Sequence, residues 1–129
     1  MPPRRWKARE RLSQNVSAPK AEILYSLYED DKILAFLDIN PESAGHTLII
    51  PKKHTLDVTT IENDILIKVL DKAKDVSQLL TTKMGANGFT LVQNNGIAQE
   101  VKHFHLHVIP KYNKSVNMDI EDVYKKMKS

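Results

Sequence analysis

From His103 to Val108 the chain alternates without a break, His103-Phe104-His105-Leu106-His107-Val108. A period of two is that of a β-strand, so the pattern sets three imidazoles on one side of the backbone and Phe104, Leu106 and Val108 on the other. A fold that accepts this strand needs one apolar face to cover and a second face that tolerates basic rings. Three imidazoles in register, all titrating near neutrality, are costly to crowd without a use. Two chemistries fit the bare spacing. One is metal chelation, with His46 as a further ligand; the other is attack by the His105 imidazole on a phosphorus centre, with its neighbours stabilising the charge that develops there.

The rest of the chain supplies partners for this strand. Leu24 to Glu29 and Lys32 to Asp38 are short apolar runs around Asp30-Asp31, which predicts a β-hairpin with Asp providing the turn. Asn40 to Gly45 reads as a loop, and His46 to Ile50 as a third strand that stops at Pro51. Thr59 stands three residues before Glu62, which predicts a capping box at the start of a helix. Ile61, Ile65, Val69, Ala73, Val76 and Leu80 then form one stripe that ends at a C-cap on Gly85. Gly88 to Gln93 gives a fourth strand, Val101 to Ile109 a fifth, and Ile120, Val123, Tyr124 and Met127 a short C-terminal helix after Asp119. The pattern is that of an α+β domain with helices on one face of an antiparallel sheet and the other face free for chemistry.

At 129 residues the chain suits a single domain, and 41% hydrophobic with 27% charged residues is a globular balance. The absence of cysteine removes disulfides, thiolate zinc sites and a cysteine nucleophile. No apolar run is long enough to span a bilayer and no signal-peptide core is visible, which leads to the expectation of a cytoplasmic protein without membrane contact. Residues 1–20 hold six Lys or Arg and one Glu, leaving 13 cations and 15 carboxylates in the remainder. The basic character thus belongs to an N-terminal arm, read as a flexible, solvated tail ahead of one domain at 21–129. A nucleic-acid tether through its cations and Trp6 is the less favoured alternative.

The run His103-Phe104-His105-Leu106-His107-Val108-Ile109 fills every position of the signature of the histidine triad (HIT) family, His-φ-His-φ-His-φ-φ with φ apolar. The resemblance extends through Tyr28-Glu29-Asp30-Asp31, Leu34 to Pro41, Gly45 to His54 and Gln93-Asn94-Asn95-Gly96, in the family's order. It implies an HIT-like fold with about five antiparallel strands, one long helix packed on one face and a short C-terminal helix. It also implies a metal-independent, cofactor-free enzyme that acts on a purine nucleotide at the α-phosphorus through a covalent nucleotidyl-histidine.

Position by position, the resemblance makes His105 the nucleophile and His103 the group whose main-chain carbonyl orients it, with His107 and His46 beside the phosphoryl oxygens. Asn94 and Gln99 match phosphate-contacting amides, Asp38 the acceptor of the ribose hydroxyls, and Ile39 and Leu48 the walls of the base pocket. Glu100 replaces the serine that assists the leaving amine in phosphoramidase-type members, and the loop before the triad is shorter. Relatives with a Cys-x-x-Cys pair bind structural zinc with histidines resembling His54 and His103; here that zinc is not expected. A homodimer with the long helix and a central strand at the interface is implied as well.

The expected activity is hydrolysis of a nucleoside 5′-phosphoramidate or related conjugate, releasing a nucleoside monophosphate. A diadenosine polyphosphate hydrolase, favoured by the charge of Lys111 and Lys114, is the nearest alternative. A nucleotide-binding or interaction protein that uses the basic arm, and a metal-dependent phosphoesterase, represent other classes.

Overall fold

A computed structural model describes residues 24–129; the basic arm at 1–20 and the expected start of the domain lie outside the described residues. The elements run β1 (Ser26–Glu29), β2 (Ile33–Leu37), β3 (Thr47–Pro51), α1 (Asn63–Met84), β4 (Gly88–Val92), a single 3-10 turn at Gly96–Ala98, β5 (Leu106–Lys111) and α2 (Ile120–Lys128). The five strands form one antiparallel sheet in the order β1-β2-β3-β5-β4.

The hairpin turns where the aspartates predict it. Asp30 Oδ1 accepts from the amides of Lys32 and Ile33 at 2.7 and 2.9 Å, while its Oδ2 accepts from the Tyr28 hydroxyl at 2.8 Å and the Lys68 ammonium at 3.3 Å. Burial alone would raise its pKa, but the two backbone amides, the phenol and the ammonium together hold the carboxyl well below the usual carboxylate range. At the other end of the chain Asp119 caps α2, accepting from the Asp122 amide at 3.2 Å.

Two expectations need correction. The long helix starts at Asn63 with Glu62 as an N-cap whose side chain makes no cap bond. Thr59 is drawn into a preceding turn, where its amide and hydroxyl both donate to Asp57 Oδ1 at 2.9 and 2.6 Å, and Glu62 reaches the Lys53 ammonium instead. The C-cap stands as expected, with Gly85 at φ 69°. The fifth strand begins at Leu106 rather than Val101. The β3·β5 pairing ends at Ile49 and Leu106 because the next positions on β3 lead to Pro51, which has no amide and whose carbonyl accepts from the His103 ring at 2.9 Å. Phe104 instead donates its amide to Thr55 at 2.8 Å.

The two faces of the sheet are both closed but differently. Ile33, Ala35, Leu37, Ile49, Leu106 and Val108 pack with Val69, Val76 and Leu80 of α1 and Val123 and Met127 of α2 in the main core. On the reverse face Leu34, Phe36, Leu48 and Ile50 form a smaller cluster with Val101. That cluster is the apolar floor beside the histidines.

Candidate active site

His107 lies on β5, an interior strand of the sheet, opposite Leu48 of β3 and Val92 of β4. Its Nδ1 is 2.9 Å from Nε2 of His46, which enters at the start of β3. A main-chain amide fixes the protons in this pair. Glu42 N–H donates to His46 Nδ1 at 3.1 Å, so neutral His46 carries its proton on Nε2 and donates it to His107 Nδ1. The His107 proton is then on Nε2.

The loop before β3 is built to hold that geometry. Ser43 donates its hydroxyl to the Pro110 carbonyl and Tyr112 its hydroxyl to the Ala44 carbonyl, each at 2.6 Å. Burial raises the Tyr112 pKa and so keeps this hydroxyl a donor. Gly45 sits at φ 101°, and a Cβ there would lie 2.6 Å from Leu80 of the long helix.

His105 precedes β5. Its Nδ1 donates to the His103 carbonyl at 2.7 Å, and because a carbonyl can only accept, the lone pair of neutral His105 is on Nε2. Its ring lies edge-on to that of His107, with centroids 4.9 Å apart. His103 turns the other way, donating from Nε2 to Pro51, and lies 6.0 Å from the ring of exposed His54. All four of His46, His103, His105 and His107 are buried. The three triad rings thus have separate surroundings despite their common alternation.

A cavity of about 170 Å³ opens on His105 and His107, with Asn94, Ala98, Glu42 and Glu100 among its lining. Asp38 is buried outside this lining; its Oδ1 accepts from the Asn40 amide at 2.9 Å and its Oδ2 is 3.7 Å from His46 Nε2. Of the two apolar candidates, Leu48 is wholly buried in the smaller cluster, whereas Ile39 is 50% exposed at the end of β2; neither lines this cavity. Gln99 is likewise not brought to it. Its Oε1 accepts from the Gly96 amide at 3.1 Å and its Nε2 donates to the Leu56 carbonyl at 2.7 Å, so the amide staples the loop rather than reaching inward.

Asn95 extends that staple, with paired amide bonds to Gln93 and a bond from the Val58 amide at 2.9 Å. Sequence reasoning missed Glu42, whose amide sets the His46 tautomer. Its only signal is its place four residues ahead of a site histidine, and that signal is weak because the contact is made by the backbone.

Asp38, His46 and His107 offer donor atoms within 4.8 Å of one another, the one group among the described residues with metal-ligand chemistry at that spacing. A divalent cation there would have to replace the proton shared between His46 and His107. The structure thus gives the metal reading the acidic partner that the triad's own sequence lacks, at the cost of the bond that orients His107.

The HIT domain family matches residues 24–114, most of the chain. The chain belongs to the HIT family. An uncharacterized HIT-like protein of Methanocaldococcus jannaschii is 39% identical over 113 residues, spanning 79% of this HIT protein and 87% of that one. The adenylylsulfatase HINT3 of Arabidopsis thaliana is 39% identical over 87 residues, 66% of this chain but 44% of the plant protein. Among solved structures, a hypothetical histidine triad nucleotide-binding protein of Sulfolobus tokodaii aligns at a TM-score of 0.73 and 32% identity, over 81% of this chain and 80% of that one. The family is one of nucleotide-binding proteins and, generally, nucleotide hydrolases. No helix among the described residues is long and apolar enough to cross a membrane.

Proposed function

We propose that this HIT protein hydrolyses purine nucleoside 5′-phosphoramidates, or related nucleotide conjugates, at the α-phosphorus, with His105 as nucleophile and no metal in the step. The observation that carries the reading is the 2.7 Å bond from His105 Nδ1 to the His103 carbonyl, which leaves the Nε2 lone pair of a cavity-lining imidazole for attack. Nε2 forms a bond to phosphorus as the bond to the leaving nitrogen breaks. The electron pair departs on that nitrogen, which takes a proton from solvent. Water then adds to phosphorus, the bond to Nε2 breaks with its pair returning to the ring, the water proton leaves to solvent, and the nucleoside monophosphate is released.

His107 Nε2–H and the Asn94 amide are donors for the phosphoryl oxygens, whose charge grows in the transition state. His46 acts through His107 by fixing its tautomer. The family correspondence gives Asp38 to the ribose hydroxyls and Ile39 and Leu48 to the base, while Gln99 serves by holding the loop that carries Asn94.

The edge strand β4 and helix α1 support a homodimer, because Leu70, Phe89 and Leu91 leave large apolar area exposed around a groove of about 370 Å³. Pairing β4 with its two-fold copy would make it central in a continuous sheet. Light scattering giving a dimer in solution is the expected result.

A second reading is favoured by the name of the plant relative, adenylylsulfatase, and makes adenylyl sulfate a substrate to be compared. The deciding experiment is hydrolysis in EDTA of adenosine 5′-phosphoramidate, adenylyl sulfate and diadenosine tetraphosphate by the wild type and by His105→Ala. AMP release that survives EDTA and is lost in the variant is expected. Release that requires added metal, or that persists without His105, would refute the proposal.

A further inference from the structure

The loop that carries Asn94 contains a chemically fragile dipeptide. Asparagine followed by glycine occurs twice in the chain, at Asn87-Gly88 and at Asn95-Gly96. A glycine has no side chain to hinder its nitrogen, which can therefore attack the side-chain carbonyl carbon of the preceding asparagine. At Asn95 the Gly96 nitrogen would bond to Cγ while the Cγ–Nδ2 bond breaks, and the Gly96 amide proton would leave with Nδ2 as ammonia. Water then opens the five-membered imide. Cleavage of its nitrogen–Cγ bond gives an aspartate, and cleavage at the main-chain carbon gives an isoaspartate, whose backbone is longer by a methylene.

The structure restrains both reactants. The Gly96 amide, which must give up its proton to attack, donates it to Gln99 Oε1 at 3.1 Å. Gln99 is buried and anchored in turn by its Nε2 bond to the Leu56 carbonyl at 2.7 Å. The Asn95 carboxamide is also held: Oδ1 accepts from the Val58 amide at 2.9 Å and from Gln93 Nε2 at 2.8 Å, and Nδ2 donates to Gln93 Oε1 at 2.8 Å. Ring closure needs the Gly96 nitrogen nearly eclipsed with Cβ of Asn95, whereas the extended ψ of 150° at Asn95 holds it away. At Asn87 the carboxamide oxygen accepts from the Asn113 amide, and Gln99, whose bonds go to Gly96 and Leu56, takes no part.

We propose that Asn95 is a modification site, a succinimide-forming asparagine that the Gln99 side chain keeps intact in the folded protein by holding the Gly96 amide. Conversion removes the Nδ2 donor, so that Gln93 Oε1 faces an oxygen, and it places a negative charge beside Asn94, which lines the cavity. Nucleotide binding is weakened as a result. That consequence rests on the reading of Asn94 as a phosphate donor, whereas the modification itself does not.

The test incubates the full-length protein in mildly alkaline buffer, folded and in urea, and follows Asn87 and Asn95 by peptide mass spectrometry with isoaspartate labelling. Asn95 is expected to convert readily in the unfolded chain and at least about tenfold more slowly in the folded one. Gln99→Met, which keeps the volume but removes the amide acceptor, should speed conversion at Asn95 about fivefold and leave Asn87 at its wild-type rate. Folded wild type converting as fast as the unfolded chain, or an unfolded chain that leaves Asn95 intact, would overturn the proposal. So would a variant whose Asn95 is no faster than in wild type, or whose Asn87 speeds up equally. Should the variant not fold, hydrogen exchange of the wild-type Gly96 amide decides the same point: protection is expected, and exchange at the rate of an open amide would overturn the guarding role. The effect on the site is read separately by calorimetry, where Asn95→Asp should bind AMP about fivefold more weakly than wild type. Undiminished affinity would overturn the link to the site, while a wild type that binds no AMP would count against the reading of the site and leave the mass measurement to decide the modification.

Discussion

The two faces of the sheet are made by the same strands and buried to a similar degree, yet they obey different rules. Toward the helices, Ile33, Ile49, Val108 and Leu80 belong to one cluster of buried apolar side chains, so what matters most is volume. On the reverse face, which also holds Leu48 and Phe36, the rings of His46, His105 and His107 are oriented by a backbone amide, a backbone carbonyl and a ring-to-ring bond. Size changes should therefore be felt as stability on the first face, and changes of proton position as rate on the second.

The sharpest way to break that contrast is His105→Ala, which should lower kcat by about 10⁴-fold in a hydrolysis assay while thermal unfolding shows a folded protein. Comparable losses of rate and stability together would show that the two faces are not separable. On the helix side, Leu80→Ala removes a wholly buried side chain and should cost about 2–5 kcal/mol in urea unfolding, with turnover of the folded fraction retained. Gly45→Ala joins the two faces, since the added Cβ meets Leu80 at 2.6 Å on a backbone at φ 101° one residue before His46. It should cost about 1–3 kcal/mol and also reduce kcat, because the loop that orients His46 must shift.

The smallest effect is expected far from both faces. Asp30 is held ionised by the Ile33 and Lys32 amides against the cost of its burial, so its folded pKa is depressed. The sign follows: its stabilisation is full above the unfolded carboxyl value of about 3.9 and is lost as pH falls from there through the folded value. Asp30→Asn should cost about 1 kcal/mol at pH 7 in denaturant titrations, with the gap to wild type closing below pH of about 4. A gap that stays constant into acid would show that the charge is immaterial.

Much of the scaffold was legible because its signals are local. Asp30, Gly85 and Asp119 mark a turn, a helix end and a helix start through bonds to residues within a few positions. The apolar stripe of α1 is legible for the same reason, since Ile65, Val69, Ala73, Val76 and Leu80 all reach the core. The capping box at Thr59 failed in a competition that patterns do not resolve, because Asp57 offers a nearer acceptor. The start of β5 failed for a non-local reason: the carbonyl of Pro51, far along the chain, is taken by His103.

In the site, His105 and His107 stand out by residue type and spacing and His46 through the family resemblance, and the structure brings these three rings together. The part played by Glu42 was not, since it is made by an amide that every non-proline residue possesses. Gln99, expected from the resemblance to contact phosphate, has its side-chain amide bonded to the Gly96 amide and the Leu56 carbonyl, a loop-holding role that a residue type and position do not announce.

The central claim is that His105 bonds to phosphorus and that product forms in two displacements. The most direct measurement is the stereochemical course at phosphorus, using a single P-chiral diastereomer of an adenosine 5′-phosphorothioamidate hydrolysed in ¹⁸O-water with EDTA present. Two in-line displacements through His105 predict overall retention of configuration. Inversion would mean that water attacks phosphorus directly, and would contradict a nucleotidyl-histidine in this protein.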